Sequence, residues 1–178
     1  MYDKEFDDNL QNNNELVRRF ENAELSNEGS YFDEAELELI IDYYLERDKL
    51  DHALKAVDLG LDLFQFSATF YQKKAEIFLE MNRLDEALSN LELASTFSPK
   101  ETSIFLLKAD VYTLKGEYAK AVELVNRALE QADAADKIDL YLELADVYEE
   151  WEKYYEVIDQ LQQCLALDPF NEEALNRL

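Results

Sequence analysis

The chain has 178 residues, 48% hydrophobic and 33% charged, a balance that suits a folded protein rather than a disordered one. Three glycines and two prolines cannot turn the many short strands of a β-sandwich or barrel. One cysteine excludes an internal disulfide framework, and one histidine, His52, excludes a zinc site of two or more His and confines Ser-His-Asp chemistry to its own surroundings. With 41 carboxylates against 17 basic side chains, the formal charge of −24 is opposite to what a nucleic acid or an anionic membrane attracts.

Residues 1–33 form an acidic N-terminal segment. Asn12, Asn13 and Asn14 are placed to cap a helix carrying Leu16, Val17 and Phe20, with Ala23 and Leu25 beyond. The expected role of this helix is to cover an apolar face of the first repeat; a partner-binding arm is the alternative. No apolar signal region opens the chain, and no apolar run approaches the roughly 18 residues of a membrane span, so the expected location is the cytoplasm.

From Glu34 the sequence repeats. Segments opening at Glu34, Ala68 and Thr102 are spaced 34 residues apart, and a fourth opens two residues late at Ile138. The predicted units are therefore 34–67, 68–101, 102–137 and 138–171. Their eleventh places hold Tyr44, Phe78, Tyr112 and Tyr148; their twentieth places hold Ala53, Ala87, Ala121 and Val157; their twenty-seventh hold Gly60, Ala94, Ala128 and Cys164. Within each unit, apolar residues at i, i+3, i+4 and i+7 predict two helices and exclude β-alternation. Asp33 with Glu36, and Asp85, are helix-start signals; Gly116 suits a turn that needs positive φ; Pro99 and Pro169 close the second and fourth units. Small residues at the eighth place (Ala75, Ala109, Ala145) allow close helix approach. A single pair cannot bury both its faces, so each unit needs a neighbour.

Tyr71-x2-Lys74-Ala75-x2-Phe78 followed by Ala87-x3-Leu91, Ala94 and Pro99 is similar to the tetratricopeptide repeat, or TPR, and so is Phe105-x2-Lys108-Ala109-x2-Tyr112 with Ala121-x3-Val125. Ile41 departs from the family's small residue, and Lys74 and Lys108 from its usual apolar one. The resemblance covers residues 34–178. It implies an all-α, right-handed superhelical stack of antiparallel helix pairs, with about four repeats, an N-terminal capping helix and the start of a fifth repeat at 172–178. There Leu175 and Leu178 take the first apolar places, which implies continuation into a longer protein or pairing with another chain.

The family's geometry implies a concave groove lined by the first helix of each repeat. The groove residues expected here include Glu38, Asp42, Gln72, Glu76, Leu79, Leu106, Asp110, Leu114, Leu142, Asp146 and Glu149. Half of the groove-facing places are acidic and none is basic. Asp42, Glu76, Asp110 and Asp146 stand where carboxylate-binding relatives carry Asn-type donors, so a carboxylate ligand would meet repulsion. The expected function is a non-enzymatic protein-interaction scaffold binding a basic or amphipathic segment, with no cofactor, metal, nucleic acid or membrane. Two alternatives stand beside it: a TPR segment of a larger enzyme or regulator, and a module that self-associates through its C-terminal end. His52 is expected on the surface and Cys164 in packing. Trp151 is expected to pack against turn residues, with partner anchoring as the alternative. Asp110 with Asp146, or Glu149 with Glu150, are conceivable acid–base or calcium pairs, but no Asp-x-Asp-x-Asp-Gly loop is present.

Overall fold

The computed structural model describes residues 14–23, 25, 31–133 and 135–178, and every regular element among them is an α-helix. Helix α1 spans residues 14–23. It is followed by α2 (Glu34–Leu45), α3 (Leu50–Leu63), α4 (Ala68–Glu80), α5 (Leu84–Phe97), α6 (Thr102–Leu114), α7 (Tyr118–Leu129), α8 (Asp136–Glu150), α9 (Tyr154–Leu167) and α10 (Glu172–Arg177). Asn12 and Asn13, expected to cap α1, lie outside the described residues. The chain divides into two compact units, Met1–Arg83 and Leu84–Leu178, and the division falls inside the segment 68–101.

In the first unit, α2 packs on α3 and α3 on α4 around Leu37, Ile40, Ile41, Tyr44, Ala53, Val57, Phe70 and Ile77. Helix α1 adds Val17 and Phe20 to this same core, so it covers the apolar face as expected. Phe20 sits edge-on to Phe32 at 6.0 Å, and Arg19 bonds Glu36 at 2.6 Å. Burying a phenylalanine stabilises by about 1.5–3 kcal/mol, far more than that exposed ion pair adds. Asp33 and Glu36 form a reciprocal capping box at the start of α2, each side chain accepting from the other's backbone N–H. Gly60 is small for a reason: a Cβ there would meet the Phe70 ring at 3.0 Å.

In the second unit, α6 pairs with α7 and α8 with α9, while α5 packs on α6, α7 on α8 and α10 on α9. Ala109, Ala121, Val125, Ala128, Leu140 and Leu144 form one core cluster; Ala145, Val157, Leu161, Cys164 and Ala174 form the next. The lysines that depart from the family pattern keep their stems low and bond outward, Lys74 to Asp58 at 2.6 Å in the first unit and Lys108 to Ser95 at 2.7 Å in the second. Helix α10 is capped by Asn171, which accepts from the Ala174 N–H at 2.9 Å, and it buries Ala174 rather than Leu175 or Leu178.

The turns within the helix pairs share one construction. Asp48, Asn82, Gly116 and Glu152 all occupy the fifteenth place, and all have φ between 54° and 72°. In each, the next N–H reaches back to the eleventh-place aromatic's carbonyl: Lys49 to Tyr44, Arg83 to Phe78, Glu117 to Tyr112 and Lys153 to Tyr148, at 2.7–2.9 Å. This is the left-handed helix stop that Gly and Asn accept with little strain. Glu152 fills it at a steric cost.

Candidate functional site

The residues expected to line a groove fall on α2 and α4 in the first unit and on α6 and α8 in the second. Glu38, Asp42, Gln72, Glu76 and Leu79 are all half-buried. Between them lies a residue that the groove pattern did not include. Lys73 on α4 donates to Asp42 at 2.8 Å across to α2 and lies 3.4 Å from Glu76 on its own helix, while Gln72 donates to Glu76 at 3.2 Å. Burial works against the Lys73 charge, but the bonds and fields of Asp42 and Glu76 together hold its ammonium above the ordinary value. Glu38 is pushed up by burial and by Glu34 and Asp42. None of the groove-facing places is basic, but the chain places a cation of its own beside them.

In the second unit, Leu106 and Leu142 are half-buried and lean on the neighbouring cores, whereas Leu114 is 62% exposed. Asp146 and Glu149 are exposed, and Arg177 of α10 reaches them at 2.7 and 2.8 Å, with Glu173 at 3.3 Å. Here too the acids have an internal cation. Asp110 is half-buried on α6. It faces Glu143, in side-chain hydrogen-bonding contact from α6 to α8. Two carboxyls bond this way only when one keeps its proton. Burial, then Asp110 and then Asp146 push Glu143 up to about 7, and burial also raises Asp110. Among the described residues, no cation offsets these effects.

The pair opens onto a depression of about 800 Å³ lined by Asp110, Thr113, Leu114, Glu143, Val147 and Glu150 among others. Its one basic lining residue, Lys115, is bonded away to Asp85 of α5. The Oγ1 of Thr113 is buried there without a hydrogen-bond partner.

Lys73, Glu143 and Arg177 carry the local chemistry and were not among the expected site residues. A signal existed in the repeat alignment. All three stand in the sixth place of their repeats, and each meets the ninth-place acid of the repeat before: Asp42, Asp110 and Asp146 respectively.

The remaining candidates resolve simply. His52 is exposed, its ring 5.1 Å from that of Tyr44. Cys164 is buried in the α8–α9 core, and burial followed by the field of Asp168 raises its thiol further from the reactive form. Trp151 stacks between Tyr118 and Tyr148, with centroids 5.9 and 6.3 Å away. Among the described residues, no group of three or more His, Cys, Asp or Glu is placed to hold a metal, and no helix is long and apolar enough to cross a membrane.

This architecture is that of a helix-pair repeat protein, a class that presents helix faces to other chains. The tetratricopeptide repeat profile matches residues 68–101, 102–134 and 138–171, and the chain belongs to that family. Among curated proteins, no sequence matches it significantly. Solved structures share the fold. TTC0263, a thermophilic TPR protein in Thermus thermophilus, has a TM-score of 0.72 at 20% identity, over 94% of this chain and 89% of that one. YrrB, described as a TPR protein with an unusual peptide-binding site, has a TM-score of 0.70 at 16% identity, over 97% and 88%. MamA from Desulfovibrio magneticus RS-1 has a TM-score of 0.66 at 15% identity, over 78% and 77%.

Proposed function

We propose that this chain is a non-catalytic protein-interaction module whose acidic helix faces take up a basic, partly apolar segment of another protein. The observation that carries this reading is the depression between α6 and α8. It combines the carboxyls of Asp110, Glu143 and Glu150 with Leu114 and Val147, and its one lysine is engaged elsewhere. Apolar contact supplies affinity there, while the acids select for positive charge and speed encounter. Membership in the TPR family supports an interaction role, and the peptide-binding site named for YrrB is a precedent within the fold.

The test is capture from source-cell lysate at low and high salt, with the native chain beside a triple Asp42, Asp110, Asp146→Lys variant. Partners released by salt and lost in the variant are the expected result. Partners indifferent to both changes would move the interaction away from these faces.

A second reading rests on the exposed apolar end formed by Tyr154, Ile158, Leu175 and Leu178, which are between 43% and 63% exposed. Pairing of two copies there would appear as a mass that rises with concentration. With −24 on each copy, it would also rise with salt.

A further inference from the structure

Within the two units the joint between consecutive first helices occurs three times, each with an acid at the ninth place, and this repetition allows one occurrence to be judged by the other two. In the first unit, Lys73 at the sixth place bonds Asp42 at the ninth place of the preceding repeat, at 2.8 Å. At the end of the second unit, Arg177 at the sixth place bonds Asp146 at the ninth, at 2.7 Å. Between α6 and α8 the ninth-place acid, Asp110, is present, but the sixth place holds Glu143. Where the other two joints carry a cation, this one carries a second acid. It is also the one that borders the depression of about 800 Å³, with the partnerless Thr113 Oγ1 in its wall.

We infer that the Asp110–Glu143 joint is a subsite for a lysine or arginine side chain of the bound partner, which supplies in trans the cation that Lys73 and Arg177 supply from within the chain. This deepens the reading proposed above and rests on it. Two carboxyl groups line the position, an acceptor set that, once ionised, is matched to a cation with several N–H donors. Leu114 and Val147 line the same space and suit the methylene stem.

The charges around the joint make entry of a cation a proton exchange. Asp146 and Glu150 belong to α8, Tyr118 to α7, and Lys115 follows α6. Lys115 is tied to Asp85 of α5, and Arg177 of α10 to Asp146 and Glu149. Near neutral pH the empty pair therefore retains the proton that Glu143 holds to about 7. An arriving cation replaces it, the proton passes to solvent, and binding strengthens as pH rises through 7.

The probe is a short synthetic amphipathic peptide with arginines beside a leucine face, compared with its lysine and citrulline counterparts by calorimetry on the full chain. The expected results are binding of the arginine or lysine peptide, at least about tenfold weaker binding of the citrulline peptide, and proton release near pH 6 to 7 that disappears above about pH 8, where the empty pair is already ionised. Glu143→Lys, which restores the cation found at the other joints, is expected to weaken binding by at least about tenfold while keeping the helical circular dichroism. Asp110→Asn serves as a second variant with no change of volume. Equal binding of the cationic peptides to wild type and both variants would overturn the subsite while leaving the acidic-face reading intact. Equal binding of the citrulline peptide, or failure of the wild type to bind either cationic peptide at any pH, would overturn both.

Discussion

The two units treat the same design differently. The first is closed by the chain itself: α1 covers its apolar face with Val17 and Phe20, and Lys73 neutralises the acids between α2 and α4. In the second, α6 and α8 bring Asp110 against Glu143 beside an open depression, with no cation between them among the described residues. One repeat pattern thus yields a joint optimised for stability and a joint that stores charge. The difference lies in a single place of the repeat, the sixth. Replacing the cation that Lys73 and Arg177 supply at that place is enough to leave two acids facing each other.

The largest effect should come from reopening the first unit. Phe20→Ala removes a fully buried ring between α1 and α2 and is expected to cost about 3–5 kcal/mol, measured by denaturant unfolding. A loss below about 1 kcal/mol would mean that α1 does not seal this core, and the contrast between the units would fail. Next, Lys73→Met leaves Asp42, Glu76 and Glu38 facing one another. Because Asp42 is about half exposed, the expected loss is only about 1 kcal/mol at neutral pH, shrinking as the carboxylates protonate in acid.

Glu143→Gln should act in the opposite direction. Folded Glu143 holds its proton to about 7 against an ordinary 4.5, so the folded chain binds more protons in that interval. Stability contributed by the pair is then present below about pH 4.5 and lost as pH rises to 7. The amide keeps a donor toward Asp110 without titrating. The variant is expected to gain about 1 kcal/mol at pH 8 and nothing at pH 4, read from thermal midpoints at both values. A gain equal at both pH values would show that the joint is not a titrating pair. The smallest effect tests the shared turns: Glu152→Gly relieves a left-handed residue at φ 57° and should stabilise the second unit by about 0.5 kcal/mol.

Much of the fold was legible in the order of residues. The spacing of Glu34, Ala68, Thr102 and Ile138, with aromatic and alanine columns between them, predicts helix pairs, and the observed helices α2, α4, α6 and α8 open at or within two residues of those positions. Asp33 with Glu36 announced a cap that the structure forms in full, and Gly116 announced a left-handed turn. The non-glycine versions at Asp48, Asn82 and Glu152 carry the same turn, because position in the repeat overrides local preference when both flanking helices are fixed by packing.

The site was less legible. The groove-facing places identified Asp42, Glu76, Asp110 and Asp146 but not Lys73, Glu143 or Arg177, whose long side chains lean toward the preceding repeat. Residue order alone determined that this protein is a helical repeat with an excess of acid on its helix faces, because a period of 34 residues and a charge of −24 are properties of the chain. Only the tertiary structure decided which acids are answered and which are left facing each other. Charges act over a few ångströms, and which side chains come that close depends on how one helix pair seats against the next.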